Sequence, residues 1–469
     1  MAASDEEVAY KKLSEKEVKA RLKDLAAKSA QFDKTICQFP TQDNRIKNIY
    51  KRNTKLENAR YLVECADRTR ILVHKDVFEF MNEFIRHKQL HGSPLEKVVY
   101  EGMTPSKLAV RLISKRPLYF FGRHDSSLLR NGTTPPSRSW LSLGTAEGDE
   151  DSIDLCEYIS YDEMQLSALC GVSSPTVFIN SGSRHNQGIA SDTDDYEERG
   201  VYVGLVGARF EKTDRMESTH IVVAKRNNEE AGYGKNGNAS ERRKYLAMWA
   251  KLYGLGGKDP HFPSYEEVQS KSTVGTFCPL KRLGAHFNVK VFKRRMRFVI
   301  EPYLLDANQR GKEAKKKVYC FAVGLGLGVW AIDSRTQGKY LVDVFVEVIR
   351  EQDLSTISVV DFSWFPDCCE NQPGIKNGKI LPTENGNEIE ILFTKRNPAD
   401  KLTGKYAGML PVSCYAWDGN SFPGNEYWCG MLCASGDPAA ASCSTIPEMQ
   451  NAQINDTLTK ESAVTCYPK

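Results

Sequence analysis

Residues 318–365 read VYCFAVGLGLGVWAIDSRTQGKYLVDVFVEVIREQDLSTISVVDFSWF. The opening apolar run is too short for a buried helix and reads as a strand. Gly324, Gly326 and Gly328 end it. Tyr340, Leu341, Val344, Phe345 and Val348 then recur at helical spacing, which predicts a helix over 336–351. TISVVDFSWF, residues 356–365, returns to a β-branched, strand-like pattern. Strand, glycine turn, helix, strand is a βαβ unit, and its two strands run parallel in one sheet.

Two further apolar runs follow, EIEILFTKRNP (388–398) and MLPVSCYAWDGN (409–420). Four strands thus end on glycine or polar residues: the glycines at 324–328, Asp361 and Ser363, Arg396 and Asn397, and Asp418 to Asn420. Ligands of open α/β sheets bind outside the carboxyl ends of the strands. The expectation is an α/β fold with a site along that edge. GLGLG lacks the GxGxxG spacing, and no acidic residue ends a second strand about twenty positions on, which disfavours an NAD site. A glycine loop opening a helix still suits phosphate, through exposed N–H groups and the helix dipole. The bland reading is close packing of strand on helix.

The last of these runs continues as YAWDGNSFPGNEYWCGMLCASGDPAAASCSTI, residues 415–446. Asp418, Asn420, Ser421, Asn425, Glu426 and Asp437 stand among Trp417, Phe422, Tyr427 and Trp428. Gly419, Gly424, Gly430 and Gly436 let the backbone turn tightly. Polar groups among aromatics in a glycine-rich loop describe a preformed site. A tight loop tied by its own Asn and Asp side chains is the structural alternative.

Upstream, residues 1–95 are rich in Lys, Glu and Ala and carry amphipathic helical patterns, one capped near Ser14 and one after Asp76. PTVFINSGSRHNQGI (175–189) runs a short strand into Asn180, Arg184, His185 and Asn186, where Arg184 could pair with phosphate. VYVGLVGARFE reads as a strand closing on Arg209 and Glu211, with MESTHIVVAK as its hairpin partner. HFNVKVFKRRMRFV holds five basic residues between 290 and 297. A solvated strand or helix face accounts for that run better than nucleic acid does, since no aromatic platform on a glycine-rich loop flanks it.

The 469 residues carry 64 basic and 60 acidic side chains, a balance that points to neither nucleic acid nor membrane. No stretch reaches the roughly 18 apolar residues of a membrane span, and the first residues show no apolar leader. Thirteen cysteines lie without CxxC or other metal spacing. We therefore expect a cytoplasmic chain with free thiols, no metal and no cofactor.

INSGSRHNQG, ERGVYVGLVGARFE, VGLGLGVW and YAWDGNSFPGNEYW with ASGDPAAA together resemble the MavL-type, macrodomain-like ADP-ribosyl hydrolases, related in fold to poly(ADP-ribose) glycohydrolase. The resemblance covers roughly 96–450. It implies a mixed sheet flanked by helices, preceded by an N-terminal helical region (1–95) and followed by a tail (451–469). It implies an ADP-ribosylated protein as substrate, with cleavage between ribose C1″ and a modified side chain such as arginine. Gly324, Gly326 and Gly328, with Trp330 beside them, would face the pyrophosphate. Asp418 and Glu426 would face the distal ribose, with Asp437 a third candidate. Asn180, Arg184, His185, Asn186, Asn420, Ser421, Gly424, Asn425 and Trp428 complete the expected ligand contacts. The GGG and QEE signature of the glycohydrolases is absent, so mono(ADP-ribose) is the expected substrate rather than chains. The chemistry stands beside the resemblance: carboxylates stabilise a cationic sugar, activate water or protonate a leaving group. Two alternatives remain open. A non-catalytic ADP-ribose reader would bind without cleaving. An NAD-dependent transferase would use Arg209 with Ser218 and Thr219, though no Glu-x-Glu element follows.

Overall fold

The computed structural model describes residues 13–136, 138–147, 153–270, 275–370 and 372–469. Nine strands form the central sheet: β1 (Arg70–His74), β2 (Cys170–Val177), β3 (Arg199–Leu205), β4 (Val318–Ala322), β5 (Ile357–Ser363), β6 (Lys379–Pro382), β7 (Glu388–Thr394), β8 (Leu410–Ala416) and β9 (Val464–Tyr467). Their spatial order is β6-β7-β5-β4-β8-β3-β2-β1-β9. The middle five, β7 to β3, are mutually parallel, so Thr394, Ser363, Ala322, Ala416 and Leu205 end at one edge. The outer pairings are antiparallel except β1 with β9.

Helix α5 (Ser334–Glu351) joins β4 to β5 as the βαβ unit required. Its stripe of Leu341, Val344, Phe345 and Val348 is buried, and it packs beside α4 (Val289–Ala314). The basic run lies on α4, where Lys290 is exposed, Lys293, Arg294 and Arg297 are half-buried and Arg295 is buried. Lys293 pairs with Glu347, Arg294 with Asp76 and Arg297 with Glu301. Arg295 is fully buried and donates to Glu217 at 2.8 Å and to the carbonyl of Val206 at 2.8 Å. Lys293, Arg294, Arg295 and Arg297 are thus held by partners within the chain. Among the described residues, no helix is long and apolar enough to cross a membrane.

Two expectations need correction. Residues 216–223 do not form a hairpin with β3. Met216–Thr219 make a 3₁₀ turn, and Val222–Val223 pair with Ala285–Asn288 in a separate small sheet. Both neighbours of β3 are already taken, by β2 and β8. Nor is the segment before residue 95 purely helical, or the segment after 450 a tail. β1 and β9 come from those segments and complete the sheet side by side. Apolar Ile71, Leu72 and Val73 are fully buried there, which a helical extension outside the core would not allow.

Candidate active site

β8 lies between β4 and β3, and its exit builds the site. Trp417 N–H continues the ladder by donating to Leu205 O at 2.9 Å. Asp418 follows, then Gly419, where a Cβ would stand 2.7 Å from the Val206 side chain, so only glycine lets the two strand exits touch. The chain then runs to a 3₁₀ turn, Asn425–Cys429, bounded by left-handed Gly424 and Gly430. Helix α6 (Gly436–Cys443) returns beneath it and presents Asp437 in its first turn.

These turns bring Asp418, Glu426 and Asp437 together, with one oxygen from each within 4.8 Å of the others. Asp418 and Glu426 are partly accessible and Asp437 is buried behind them. Asp437 accepts from Gly424 N–H at 2.8 Å and from Asp418 N–H at 3.4 Å, so it ties the two ends of the loop. The Asn425 amide donates to Asp418 Oδ2 at 2.5 Å. Its own orientation is fixed from behind, because Phe120 N–H donates to Oδ1 at 2.8 Å and Phe120 O accepts from Nδ2 at 3.2 Å. That leaves the second amide hydrogen for Asp418 alone. Asn425 holds this place at φ +29°, a conformation costly for any side chain.

Two carboxylates this close repel by about 3.5 kcal/mol at an effective dielectric of about 20. Three cannot all stay ionised at neutral pH without a cation. Burial first, and then the charge of Glu426, push the Asp418 carboxyl up to about 7. Burial also raises Glu426, and burial with both neighbours raises Asp437 well above the carboxylate range. The cluster is thus short of positive charge. Its three oxygens could receive a divalent metal ion, half of the oxygen shell such an ion needs, or an organic cation.

Two buried arginines frame the cluster. Arg116 is fully buried, lies 4.2 Å from the Trp417 ring and donates to the carbonyl of Gly419. Arg209 sits between the rings of Phe120 and Trp330, each at 5.8 Å, and donates to Gly122 O at 3.2 Å. Its charge is one of the influences lowering Asp418. Sequence reading weighed Arg209 only for the transferase alternative and missed Arg116, which carries no local signal in SKRPLYFF.

The glycine loop reaches the same place. A Cβ on Gly207 would run into the backbone N of Gly326, and one on Gly326 would stand 2.8 Å from Ala208 O. Phe210 N–H donates to Trp330 O at 3.0 Å. The loops leaving β3 and β4 therefore meet beside the exit of β8, which separates them. Gly326 is covered by Ala208, while Gly328 has open space around it. The N–H groups of Gly328, Val329 and Trp330 take no acceptor among the described residues. The first-turn N–H groups of α5 are occupied by its own cap, Asp333, so the loop rather than the helix end offers donors.

Other expected residues lie elsewhere in the hydrogen-bonding scheme. The Asn180 side chain binds Ile189 O and Gly182 N–H. Asn186 binds Ser183 O, Ala439 O and Gly188 N–H. Both amides shape their loop. Arg184 holds the carbonyls of Cys433 and Ala434, near enough to Glu426 to lower it, and His185 beside it is exposed. Ser421 is buried, and Asn420 is buried with an unpartnered Oδ1. The Trp428 ring packs against Phe32 and Phe39 in the core. Gly424 turns the loop against Ala441.

A family model described as ADP-ribosylhydrolase MavL-like matches residues 23–466. The chain is similar to two Drosophila melanogaster proteins, ADP-ribosylarginine hydrolase CG3568 and ADP-ribosylarginine hydrolase CG2909. It is 36% identical to the first over 396 residues, covering 82% of this chain and 75% of the relative. It is 34% identical to the second over 396 residues, covering 82% and 76%.

Proposed function

The chain belongs to the MavL-like ADP-ribosylhydrolase family, and from that premise we propose that it removes mono(ADP-ribose) from arginine side chains of modified proteins. The observation that carries the arginine assignment is the cation-deficient cluster of Asp418, Glu426 and Asp437. An ADP-ribosylated arginine brings a guanidinium to it, and the ribose gains positive charge as the bond breaks. Both relax the repulsion that raises the three carboxyls. The Drosophila relatives named as ADP-ribosylarginine hydrolases support the same choice.

In this reading the bond from C1″ to the guanidino nitrogen breaks with its electron pair going to nitrogen. Neutral guanidine leaves a cationic ribosyl centre. Water adds to C1″, its proton passes to Asp418, and from there to the guanidine. A carboxyl near 7 suits a group that both takes and gives a proton at neutral pH. Glu426 faces the developing charge, and Asp437 positions the loop that carries both. Carboxylates within 4.8 Å are too close to straddle a sugar ring with water between them, so both act from one face. The pyrophosphate lies along Gly324 to Gly328, against the free N–H groups that follow. We read the helix-flanked mixed sheet as macrodomain-like, on the strength of a site at the carboxyl ends of its parallel strands.

The test is release of ADP-ribose from an arginine-ADP-ribosylated protein. Asp418→Asn and Glu426→Gln should each lose on the order of a hundredfold or more in rate, with ADP-ribose affinity changed far less. Wild-type rates in both variants would remove this pair from the mechanism. Tight ADP-ribose binding with no release by the wild type would make the chain a reader.

A further inference from the structure

A cavity of about 960 Å³ borders the two loops that frame the carboxylate cluster. Arg209 and Trp330 belong to those loops, with the Arg209 guanidinium 5.8 Å from the Trp330 ring. The next residue of each, Phe210 and Ala331, lines the cavity. Cavity and cluster therefore stand one residue apart along both loops. A polypeptide whose arginine sits at the cluster needs only a few further residues to enter the cavity, at about 3.3–3.6 Å each.

The charge of the cavity says what would enter. Arg226, Lys281, Arg282 and Arg335 line it, against one carboxylate, Asp333. Asp333 is already committed to the first turn of α5: its Oδ1 accepts from the N–H groups of Arg335 and Thr336, both at 3.2 Å, and its Oδ2 from the Thr336 hydroxyl at 2.7 Å. Arg226 is placed by donating to Ser218 O at 2.9 Å. The cations of α4 are held by carboxylates, whereas these four form no ion pair among the described residues. The floor between them is apolar, with Phe210 and Ile332, and Leu283 on the rim is 59% exposed. One wall is the strand Phe277–Leu280, which pairs with Ala285–Asn288 on one side and has no partner on the other among the described residues. An extended chain can add to such an edge through its backbone. A free phosphate would answer the cations and leave both the edge and the apolar floor unused.

We propose that this cavity holds an acidic segment of the ADP-ribosylated protein, close in sequence to the modified arginine, and so selects among substrates by what surrounds the bond to be cut. The inference rests on the hydrolase reading above. Glutamates and aspartates of the segment meet the four cations, and its backbone lies along the open strand. Such contacts lie away from the reacting bond, so they tighten substrate binding without entering the chemical step.

Three substrates test it: free ADP-ribosyl-arginine, and two peptides with one ADP-ribosylated arginine between flanks of about eight residues, long enough to cross the cavity. The flanks are rich in glutamate in one peptide and in glutamine in the other. They are given to the wild type and to the double variant Lys281→Glu, Arg282→Glu, whose two positions are exposed on a short turn, so the fold is kept. The wild type should show a KM about tenfold lower for the glutamate peptide, the sum of a few exposed ion pairs, with kcat alike and the gap narrowing at high salt. In the variant the gap should close or reverse, while free ADP-ribosyl-arginine is released as by the wild type. Equal KM values in the wild type, or a preference that survives in the variant, would overturn the proposal. So would slower release of free ADP-ribosyl-arginine by the variant, since the cations would then act through the glycine loop. Tripolyphosphate that binds the wild type and not the variant, with no preference between peptides, would assign the cavity to a free polyphosphate and also overturns it. A wild type that acts on none of the three substrates would sink the hydrolase reading, a separate result. Fluorescence anisotropy of the unmodified glutamate peptide on both proteins would then decide the cavity alone: binding lost in the variant upholds the acidic segment, and no binding to the wild type refutes it.

Discussion

With its carboxyl raised to about 7 by burial and by the charge of Glu426, Asp418 changes protonation across the neutral range. If it must be ionised to take the proton of water, kcat/KM should climb with pH and level off above about 7. A profile flat from pH 5 to 9 would contradict that role. The same proton affects stability. In the unfolded chain an aspartate titrates near 3.9, so between that pH and about 7 the folded state holds a proton the unfolded state has lost. Stability from this group is full at the acid end and declines as pH rises to about 7. Asp418→Asn should therefore melt above wild type at pH 8, by about 1–3 °C, and close to it at pH 4. Asn425→Asp sets a fourth carboxylate against Asp418, and the rising limb of the pH profile should move to higher pH. The three carboxylates were legible as acids in an aromatic, glycine-rich loop. The role of Asn425 was not: it resembles a ligand contact until Phe120, distant in sequence, is seen holding its amide.

Elements meet at the site through glycines whose need lies in their neighbours. Gly207 and Gly326 face each other backbone to backbone, and no flexible side chain can yield. Gly207→Ala should cost about 1–3 kcal/mol of stability, as overpacking does, and weaken ADP-ribose binding by parting the loops. Chemical denaturation and calorimetry on one preparation would check both. The sequence pattern foretold β4, α5 and β5 because hydrophobic period and glycine punctuation are local. It misread the partner of β3, because pairing is decided by strands elsewhere in the chain: β8 takes one edge and β2 the other. It also left the basic run undecided between strand and helix, although that run lies on a helix of 26 residues. The cations on α4 are paired with partners that periodicity cannot reveal.

Across the whole molecule, the first described helix braces the loop that carries the carboxylate cluster. Phe32 of α1 (Glu15–Thr35) and Phe39 after it pack on Trp428 at 5.3 and 5.4 Å. Thr41 Oγ1 and the Tyr427 hydroxyl share a hydrogen bond of 2.7 Å, and Asn44 donates to Ala441 O and Ser444 O. Phe32→Ala should cost about 3 kcal/mol or more as a core cavity and lower turnover through the loop it supports. Normal turnover in a folded Phe32→Ala protein would show the brace to be structural only. The expected boundaries at 95 and 450 rested on the extent of the motifs and on the helical patterns before them, and neither registers that β1 and β9 lie together.

The pairing of β1 with β9 also governs the order in which the chain can be finished. β1 is made early, yet the strand that covers its outer edge is Val464–Tyr467. The partners of α1 around Trp428 also come late. At about 5–20 residues per second, a nascent chain carries that unpaired edge and those bare aromatics for on the order of half a minute. An uncovered edge is a template for joining other chains. During synthesis, then, that edge of β1 stays open to other chains until Val464–Tyr467 has been made.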